Sequence, residues 1–334
     1  MLSSRSTTGL VFGLAAVGIT LAAAGARVLR RRVRARPAPG VEVIETRSGL
    51  NLDQPALAIQ PLDQLETQAP DGSPQTTSQL PLDFFALVVL MTIPFWVLGG
   101  RPLPVPMKLP FSALAIFNPL LAAAILTYRR SGSQGVRRLF RRSFDYKKIR
   151  PRIWYLPVLF YYPAIAVLSY AVLRWTGQPL PEPEIPWASL LVLFPLFFVA
   201  GIGEELGWMG YAIDPLQKRW GALLAAIGLG VFWGLFHLIP DLQNNQAADW
   251  ILWQRLSGIA FRILMVWVYN NTAGSVLTAI LFHVTNNLSW SLFPNNGSHY
   301  SPFLTLLFSL PMVVYAIVGW GAQTLAEKRS ARKG

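Results

Sequence analysis

Two adjacent carboxylates, Glu204 and Glu205, occur in the stretch GIGEELGWMGY at positions 201–211, whose other residues are apolar, aromatic or glycine. Neighbouring negative charges inside an apolar helix are unfavourable unless a cation or a water-filled cavity compensates them. We therefore interpret the pair as a candidate functional site. The alternative is that the pair lies at a membrane interface, with Trp208 and Tyr211 in an aromatic belt.

Two further apolar stretches each carry a histidine. In FWGLFHLIP, Trp233 precedes His237 by four residues, so the two side chains share a helical face. In LFHVTNN, His283 and Asn287 share a face in the same way, whereas Asn286 points elsewhere. Considered alone, His237 is consistent with a histidine at the membrane interface whose hydrogen bonds are satisfied. The His-Asn pair alone is consistent with hydrogen bonds between helices.

Together these polar residues suit a hydrolytic reaction. A carboxylate and a histidine can hold and deprotonate one water, and a His-Asn pair can present donors to an oxyanion. The chain contains no cysteine, which excludes thiol catalysis and metal sites built on cysteine. The residue types therefore suit amide hydrolysis without a Cys or Ser nucleophile.

The composition indicates which elements carry these residues. Hydrophobic residues make up 53% of the 334 residues and charged residues only 13%, and the mean hydropathy is +0.40. A helix that crosses the hydrocarbon core needs roughly 20 mostly apolar residues. The pattern predicts an all-α, polytopic membrane helix bundle with about eight core transmembrane helices and one N-terminal signal-anchor helix. The eight core spans are predicted at residues 80–98, 109–128, 154–173, 187–211, 220–240, 250–269, 274–293 and 303–325.

Four segments follow along the chain. Residues 1–36 hold an uncharged run at 9–26 and then six arginines, which favours a retained signal anchor over a cleaved signal peptide. Residues 37–79 are rich in proline and acids and are predicted to form a flexible linker. The membrane body covers residues 80–325, and residues 326–334 form a basic tail.

Basic residues in the short loops predict the orientation. Residues 129–152 contain ten Lys and Arg and one acid, so this loop is expected in the cytoplasm together with the C-terminus. The expected location is a bacterial plasma membrane. Much of the net charge of +13 then serves to orient the spans in the membrane. We expect these arginines to contact the lipid bilayer, and we do not expect a nucleic-acid partner. The oligomeric state stays open.

The stretches EELGW, FWGLFH and HVTNN, in this order and spacing, resemble the three motifs of the CAAX protease and bacteriocin-processing (CPBP) family. This family of intramembrane endopeptidases is related to the type II CAAX prenyl endopeptidases. The likeness covers roughly residues 80–325. It implies an intramembrane peptidase acting on a membrane-associated peptide or protein.

The resemblance also implies catalytic roles. Glu204 would activate a water that His237 orients beside Trp233, Glu205 would be the second glutamate of the first motif, and His283 with Asn287 would bind the oxyanion. The family has been described both as metal-free and as metal-dependent. No cofactor is then required, although zinc is possible, in which case Glu204, His237 and His283 would be its ligands.

The first motif departs from the family at one position, because the arginine expected there is Met209. Either Glu205 is neutral, or another cation serves it, or the protein has lost activity. Arg255 and Arg262 lie seven residues apart on one face of a later span, and Arg262 is the better candidate by depth. For Arg255, the alternative is a side chain that snorkels to the interface.

Three hypotheses follow. The first is an intramembrane endopeptidase, and the second is a non-proteolytic membrane interaction or bacteriocin-immunity protein that keeps the fold. The third is a transporter, for which broken spans in matching halves are expected. The sequence shows no such internal repeat.

Overall fold

The computed structural model of the chain describes residues 80–99 and 111–327. The predicted signal anchor, the linker and most of the basic tail lie outside the described residues. Within these two ranges every regular element is a helix and no strand occurs. The all-α prediction is confirmed.

Nine α-helices make up the described fold. In chain order they are α1 Leu82–Leu98, α2 Asn118–Arg141, α3 Tyr155–Trp175, α4 Trp187–Gly207, α5 Ile213–Trp220, α6 Ala222–Gln243, α7 Ala248–Asn271, α8 Val276–Leu292 and α9 Pro302–Trp320. A 3₁₀ turn, Phe111–Phe117, precedes α2, and a π-helical turn, Trp208–Ala212, joins α4 to α5.

Six of the described helical segments are long and apolar enough to cross a membrane: Phe111–Phe144, Arg152–Trp175, Trp187–Trp220, Ala222–Gln243, Ala248–Asn271 and Pro302–Trp320. The protein is an integral membrane protein. Each of the eight predicted core spans coincides with a helix, but α1 and α8 have only 17 residues each. At about 1.5 Å per residue, such a helix is shorter than a hydrocarbon core of about 30 Å.

Two helices continue past their predicted ends. The second predicted span stops at residue 128, whereas α2 continues to Arg141 through a break at Gly132, where φ is 59°. A residue without a Cβ adopts this left-handed φ at little cost. The fourth predicted span stops at residue 211, whereas the helix continues through the π-helical turn to Trp220.

Small residues bring the backbones of the motif helices close together. A Cβ built on Gly207 of α4 would lie 2.5 Å from Pro119 of α2, so only glycine fits there. A Cβ on Gly230 of α6 would lie 3.0 Å from the Cα of Ile259 on α7. Close approach of this kind is the usual packing of membrane helices. Because the backbones lie close together, the Glu, His and Trp side chains of neighbouring helices meet inside the bundle.

Candidate active site

Four helices contribute the polar side chains at the centre of the bundle. Glu204 and Glu205 lie on the last turn of α4, and His237 lies on α6. Arg262 comes from α7, which is the most enclosed of the six candidate spans, and His283 comes from α8. Helices far apart in sequence thus converge on one buried cluster.

Glu205 is fully buried and holds two charged or polar partners. The Arg262 Nη1 atom lies 2.9 Å from Oε1 and 2.7 Å from Oε2 of this carboxylate. The His283 Nδ1 atom lies 2.7 Å from Oε1. The contact expected between Arg262 and Glu205 is therefore present, and it is a direct ion pair between two side chains that are both 0% exposed.

Glu204 has a different set of partners. Its Oε2 atom accepts hydrogen bonds from the indole nitrogens of Trp233 at 2.6 Å and Trp208 at 3.2 Å. The Arg262 Nη2 atom lies 3.8 Å from the same oxygen, which is an ionic contact and not a hydrogen bond. Neutral donors thus fix one oxygen of this carboxylate.

His237 is oriented by its own helix. Its Nδ1 atom lies 2.9 Å from the backbone oxygen of Trp233, one turn earlier. Because a carbonyl oxygen only accepts, Nδ1 carries the proton, and in the neutral ring Nε2 holds the lone pair. The ring packs on Trp233 with 4.4 Å between centroids, and the Trp233 indole in turn donates to Glu204.

His283 also lies beside Trp233, with 6.1 Å between the ring centroids. Asn287 is one turn further along α8, where its Oδ1 atom accepts a weak hydrogen bond from Trp290 at 3.4 Å. Within residues 80–99 and 111–327, no hydrogen bond links Asn287 to Glu204 or to either histidine. Its membership of the site therefore rests on sharing a helical face with His283.

The two candidate cations of α7 have different partners. Arg255 donates to Asp241 Oδ2 at 2.6 Å and to the backbone oxygen of Gly234 at 2.9 Å. Arg262 lies two turns further on, about 10 Å along the helix axis, and reaches the glutamates. Arg255 as a partner of Glu205 is therefore wrong. It pairs with a carboxylate near its own end of the bundle instead.

Trp208 was not predicted to be part of the site. The sequence suggested an aromatic belt as an alternative, but Trp208 is 0% exposed and both glutamates are buried. A lipid-facing belt position for Trp208 is therefore wrong. The spacing of four residues between Glu204 and Trp208 could have revealed the hydrogen bond, because such residues share a helical face.

A metal ion could be considered at Glu204, Glu205 and His283, whose potential ligand atoms lie within 4.8 Å of one another. Both oxygens of Glu205 already bond Arg262, however, so a buried positive charge occupies this cluster. A divalent cation beside a fixed guanidinium would be repelled. This donor set does not fit a resident metal, and zinc on Glu204, His237 and His283 stays a prediction.

A separate cavity lies between α3, α8, α9 and the loop before α9. Its lining includes Tyr162, Ser169, Asn286 and Tyr300, and none of the motif residues. Asn286 thus points into this cavity and not toward the glutamates. Burial raises the pKa of Tyr300 to about 12, so its hydroxyl is protonated at neutral pH and donates to Gln254 at 2.8 Å.

The fold and the site define a class of protein: a polytopic membrane protein with carboxylates, histidines and an arginine enclosed within its helix bundle. Residues 186–289, which include every motif residue, match the family model described as Type II CAAX prenyl endopeptidase Rce1-like. The CAAX prenyl protease 2 of Methanococcus maripaludis is 29% identical over 192 residues, which cover 53% of this chain and 70% of that protein. These similarities confirm the resemblance to the CPBP family of intramembrane proteases.

Proposed function

We propose that the protein is an intramembrane endopeptidase that hydrolyses a peptide bond of a membrane-associated or lipidated peptide or protein. The environment of Glu204 carries this proposal. One oxygen of its carboxylate is fixed by two indole donors, and the ring of one of them, Trp233, packs against His237. A fold needs no such arrangement between helices, whereas activation of a water requires an oriented base.

In the proposed reaction, Glu204 and His237 hold one water between them, and Glu204 accepts a proton as the water oxygen attacks the scissile carbonyl carbon. The carbonyl oxygen becomes an oxyanion, which His283 and Asn287 stabilise. The proton then passes to the amide nitrogen as the carbon–nitrogen bond breaks. The products are a free carboxylate and a free amine, so one water is consumed for each bond cleaved.

The substrate class follows from the relative. Its name describes a prenyl protease, and a prenylated C-terminal peptide is accordingly the first substrate to test for this chain. An apolar lipid tail would partition into the bilayer around the bundle and raise the local substrate concentration. We propose the cytoplasmic leaflet of a bacterial plasma membrane as the location, with the C-terminus in the cytoplasm. Reporter fusions at Gln134 and Gly334 should then give the same signal.

We propose that the reaction needs no metal, because the Arg262 guanidinium already supplies a buried positive charge between the carboxylates. Activity should survive dialysis against a zinc chelator. Loss of activity that added zinc restores would favour zinc on Glu204, His237 and His283 instead.

The decisive experiment compares the purified full chain with Glu204→Gln in proteoliposomes. Each is given a fluorogenic farnesylated peptide and the same peptide without the lipid. The wild type should cleave the lipidated peptide, and Glu204→Gln should not, while both proteins melt at similar temperatures. The amide oxygen of Gln can still accept from Trp208 and Trp233, so the variant tests the proton acceptor and not the fold.

The alternative is a non-proteolytic interaction or immunity protein, which the absence of arginine at Met209 favours. The ion pair from Arg262 weakens this alternative, because Glu205 has a cation without Met209. Wild-type protein that binds the lipidated peptide as tightly as Glu204→Gln does, yet cleaves none, would support the interaction protein.

A further inference from the structure

We infer that Arg262 takes the place of the cation missing at Met209 and, through Glu205, positions His283. The inference rests on the proposed peptidase function, in which His283 faces the reacting carbonyl. Arg262 and Glu205 are then positioning residues, since neither has to touch the substrate.

Arg262 reaches the glutamates because α6 and α7 pack closely. Gly230 of α6 lies against Ile259 and Arg262 of α7, and a Cβ there would approach the Arg262 Cβ to 3.4 Å. The guanidinium stacks on the Trp233 ring, with 4.7 Å to its centroid, and on Phe261 at 5.5 Å. Guanidinium groups bind well both to carboxylates and to aromatic faces. The side chain is thus held on several sides.

One guanidinium serves both glutamates. Nη1 bonds both oxygens of Glu205, and Nη2 lies 3.8 Å from Glu204. Nη2 and Nε have no hydrogen-bond partner among the described residues. The bifurcated contact of Nη1 to both oxygens favours a carboxylate over a neutral carboxyl group, because a proton on either oxygen would oppose the approaching donor. Glu205 is accordingly ionised, although the arginine of the family motif is absent.

An ionised Glu205 determines how His283 is used. A carboxylate oxygen only accepts, so His283 Nδ1 must donate across the 2.7 Å contact. Nε2 is then the ring nitrogen left for the reacting group, and it donates to the oxyanion when the ring carries both protons. Carboxylates orient catalytic and metal-bound histidines in the same way in other enzymes, by fixing both the tautomer and the ring plane. Arg262 acts indirectly, because it keeps Glu205 ionised and the ionised carboxylate orients His283.

The first test moves the guanidinium. Arg262→Met removes it, and the double variant Met209→Arg with Arg262→Met returns it four residues after Glu205, where the family motif has it. We expect Arg262→Met to lower kcat by about 100-fold with little change in KM, because a misplaced catalytic group costs about this much. The double variant should regain most of the lost kcat.

Arg255→Met is the matched control for this test. It removes the other arginine of α7, which pairs with Asp241. Adding Met209→Arg to Arg255→Met should bring no gain. Full activity of Arg262→Met would overturn the inference, as would a folded double variant that is no more active than Arg262→Met.

A second test covers the case in which Arg262→Met fails to fold. The double variant Glu205→Gln with Arg262→Met removes both members of the ion pair and leaves no unpaired buried charge. It should melt above Arg262→Met, and its kcat should be no lower than that of Glu205→Gln alone. A double variant that loses the product of the two single effects would show that the residues act independently and would overturn the inference.

A third test reads His283 without any activity. Nitrogen NMR of histidine-labelled protein should show a ring protonated at Nδ1 in the wild type. This signal should change in the double variant Glu205→Leu with Arg262→Met, which removes the acceptor without leaving a buried charge, but not in Arg255→Met. A wild type that cleaves nothing would defeat the proposed function alone, since the melting and NMR results still decide whether Arg262 holds Glu205 and His283. An unchanged His283 signal in the double variant Glu205→Leu with Arg262→Met would overturn the inference itself.

Discussion

Two polar clusters of the protein, one buried and one partly exposed, differ in what their side chains bind. The central cluster consists of Glu204, Glu205, Arg262 and His283, whose side chains contact one another. The end cluster lies where the charge pattern predicts the cytoplasm and consists of Arg142, Asp145, Asp214 and Tyr269. Besides contacts among its side chains, Arg142 and Asp145 of this cluster bond backbone groups at turns and helix ends.

The end cluster has a structural explanation. Asp145 accepts from the backbone nitrogens of Val276 and Leu277 at 3.3 and 3.1 Å and from the Ser275 hydroxyl at 2.6 Å, so it caps α8. Free N–H groups at a helix start need such partners. The central cluster caps no helix, and a hydrophobic core could replace it without loss of backbone bonds. For this reason we assign the catalytic role to the central cluster and a structural role to the end cluster.

The end cluster nevertheless contacts both the helical segment that carries Glu205 and the helix that carries His283. Arg142 donates to the backbone oxygen of Gly210, in the π-helical turn that follows the glutamates, and to Tyr269 Oη at 2.7 Å. Tyr269 in turn bonds Asp214 at 3.1 Å. A π-helical turn inside a helix often marks a functional site. The segment from Arg142 to Asp145 thus links the helix of Glu205 to the helix of His283.

The largest effect should come from the central cluster. We expect Glu204→Gln to lower kcat by about 10²–10⁴-fold, because it removes the base that accepts the proton of water. The melting temperature should stay close to that of the wild type, as measured by thermal unfolding in the same detergent. Loss of stability comparable with that of an end-cluster variant would remove the distinction between the two clusters.

Arg142→Met should lower the stability more than Glu204→Gln does, and kcat less. It removes the hydrogen bonds to Gly210, Gly274 and Tyr269, and the loss of these bonds at partly buried acceptors should cost about 1–3 kcal/mol of stability. At a temperature where the variant is folded, kcat should fall by less than in Glu204→Gln. Denaturation midpoints and initial rates on one preparation measure both. A stable Arg142→Met protein without activity would place Arg142 in the chemistry.

Asp145→Ala should have a smaller effect of the same kind. Removal of a helix cap costs about 0.5–2 kcal/mol. Because α8 carries His283, a frayed first turn should lower kcat by a few-fold and leave KM unchanged. Asp145→Asn is the control, since its side-chain oxygen can still accept from the backbone. Hydrogen exchange at the start of α8 reports the fraying directly, and unchanged exchange in Asp145→Ala would contradict the capping role.

Much of the site could be predicted from the sequence, because polar residues are conspicuous in apolar spans. Glu204, Glu205, His237 and His283 stand out in this way, and Arg262 could be predicted because a buried carboxylate pair needs a cation. The continuation of α2 past residue 128 and the π-helical turn could not be predicted. Arg142, directly after α2, bonds Gly210 of the π-helical turn and Tyr269, which lie 68 and 127 residues away in sequence. Local patterns carry no information about such contacts.

The smallest effect is expected for an exposed ion pair, which tests whether burial explains the contrast. Arg174 donates to Glu182 Oε1 at 2.9 Å, and this hydrogen bond holds the pKa of Glu182 below its usual range. A lowered folded-state pKa means that any stabilisation is present at neutral pH and is lost as the pH falls through that pKa. Both side chains are more than half exposed, so water screens the pair. We expect Glu182→Gln to melt with the wild type at pH 7 and to keep full activity. A clear destabilisation at pH 7 that disappears at acidic pH would show that exposure does not separate weak pairs from strong ones in this protein.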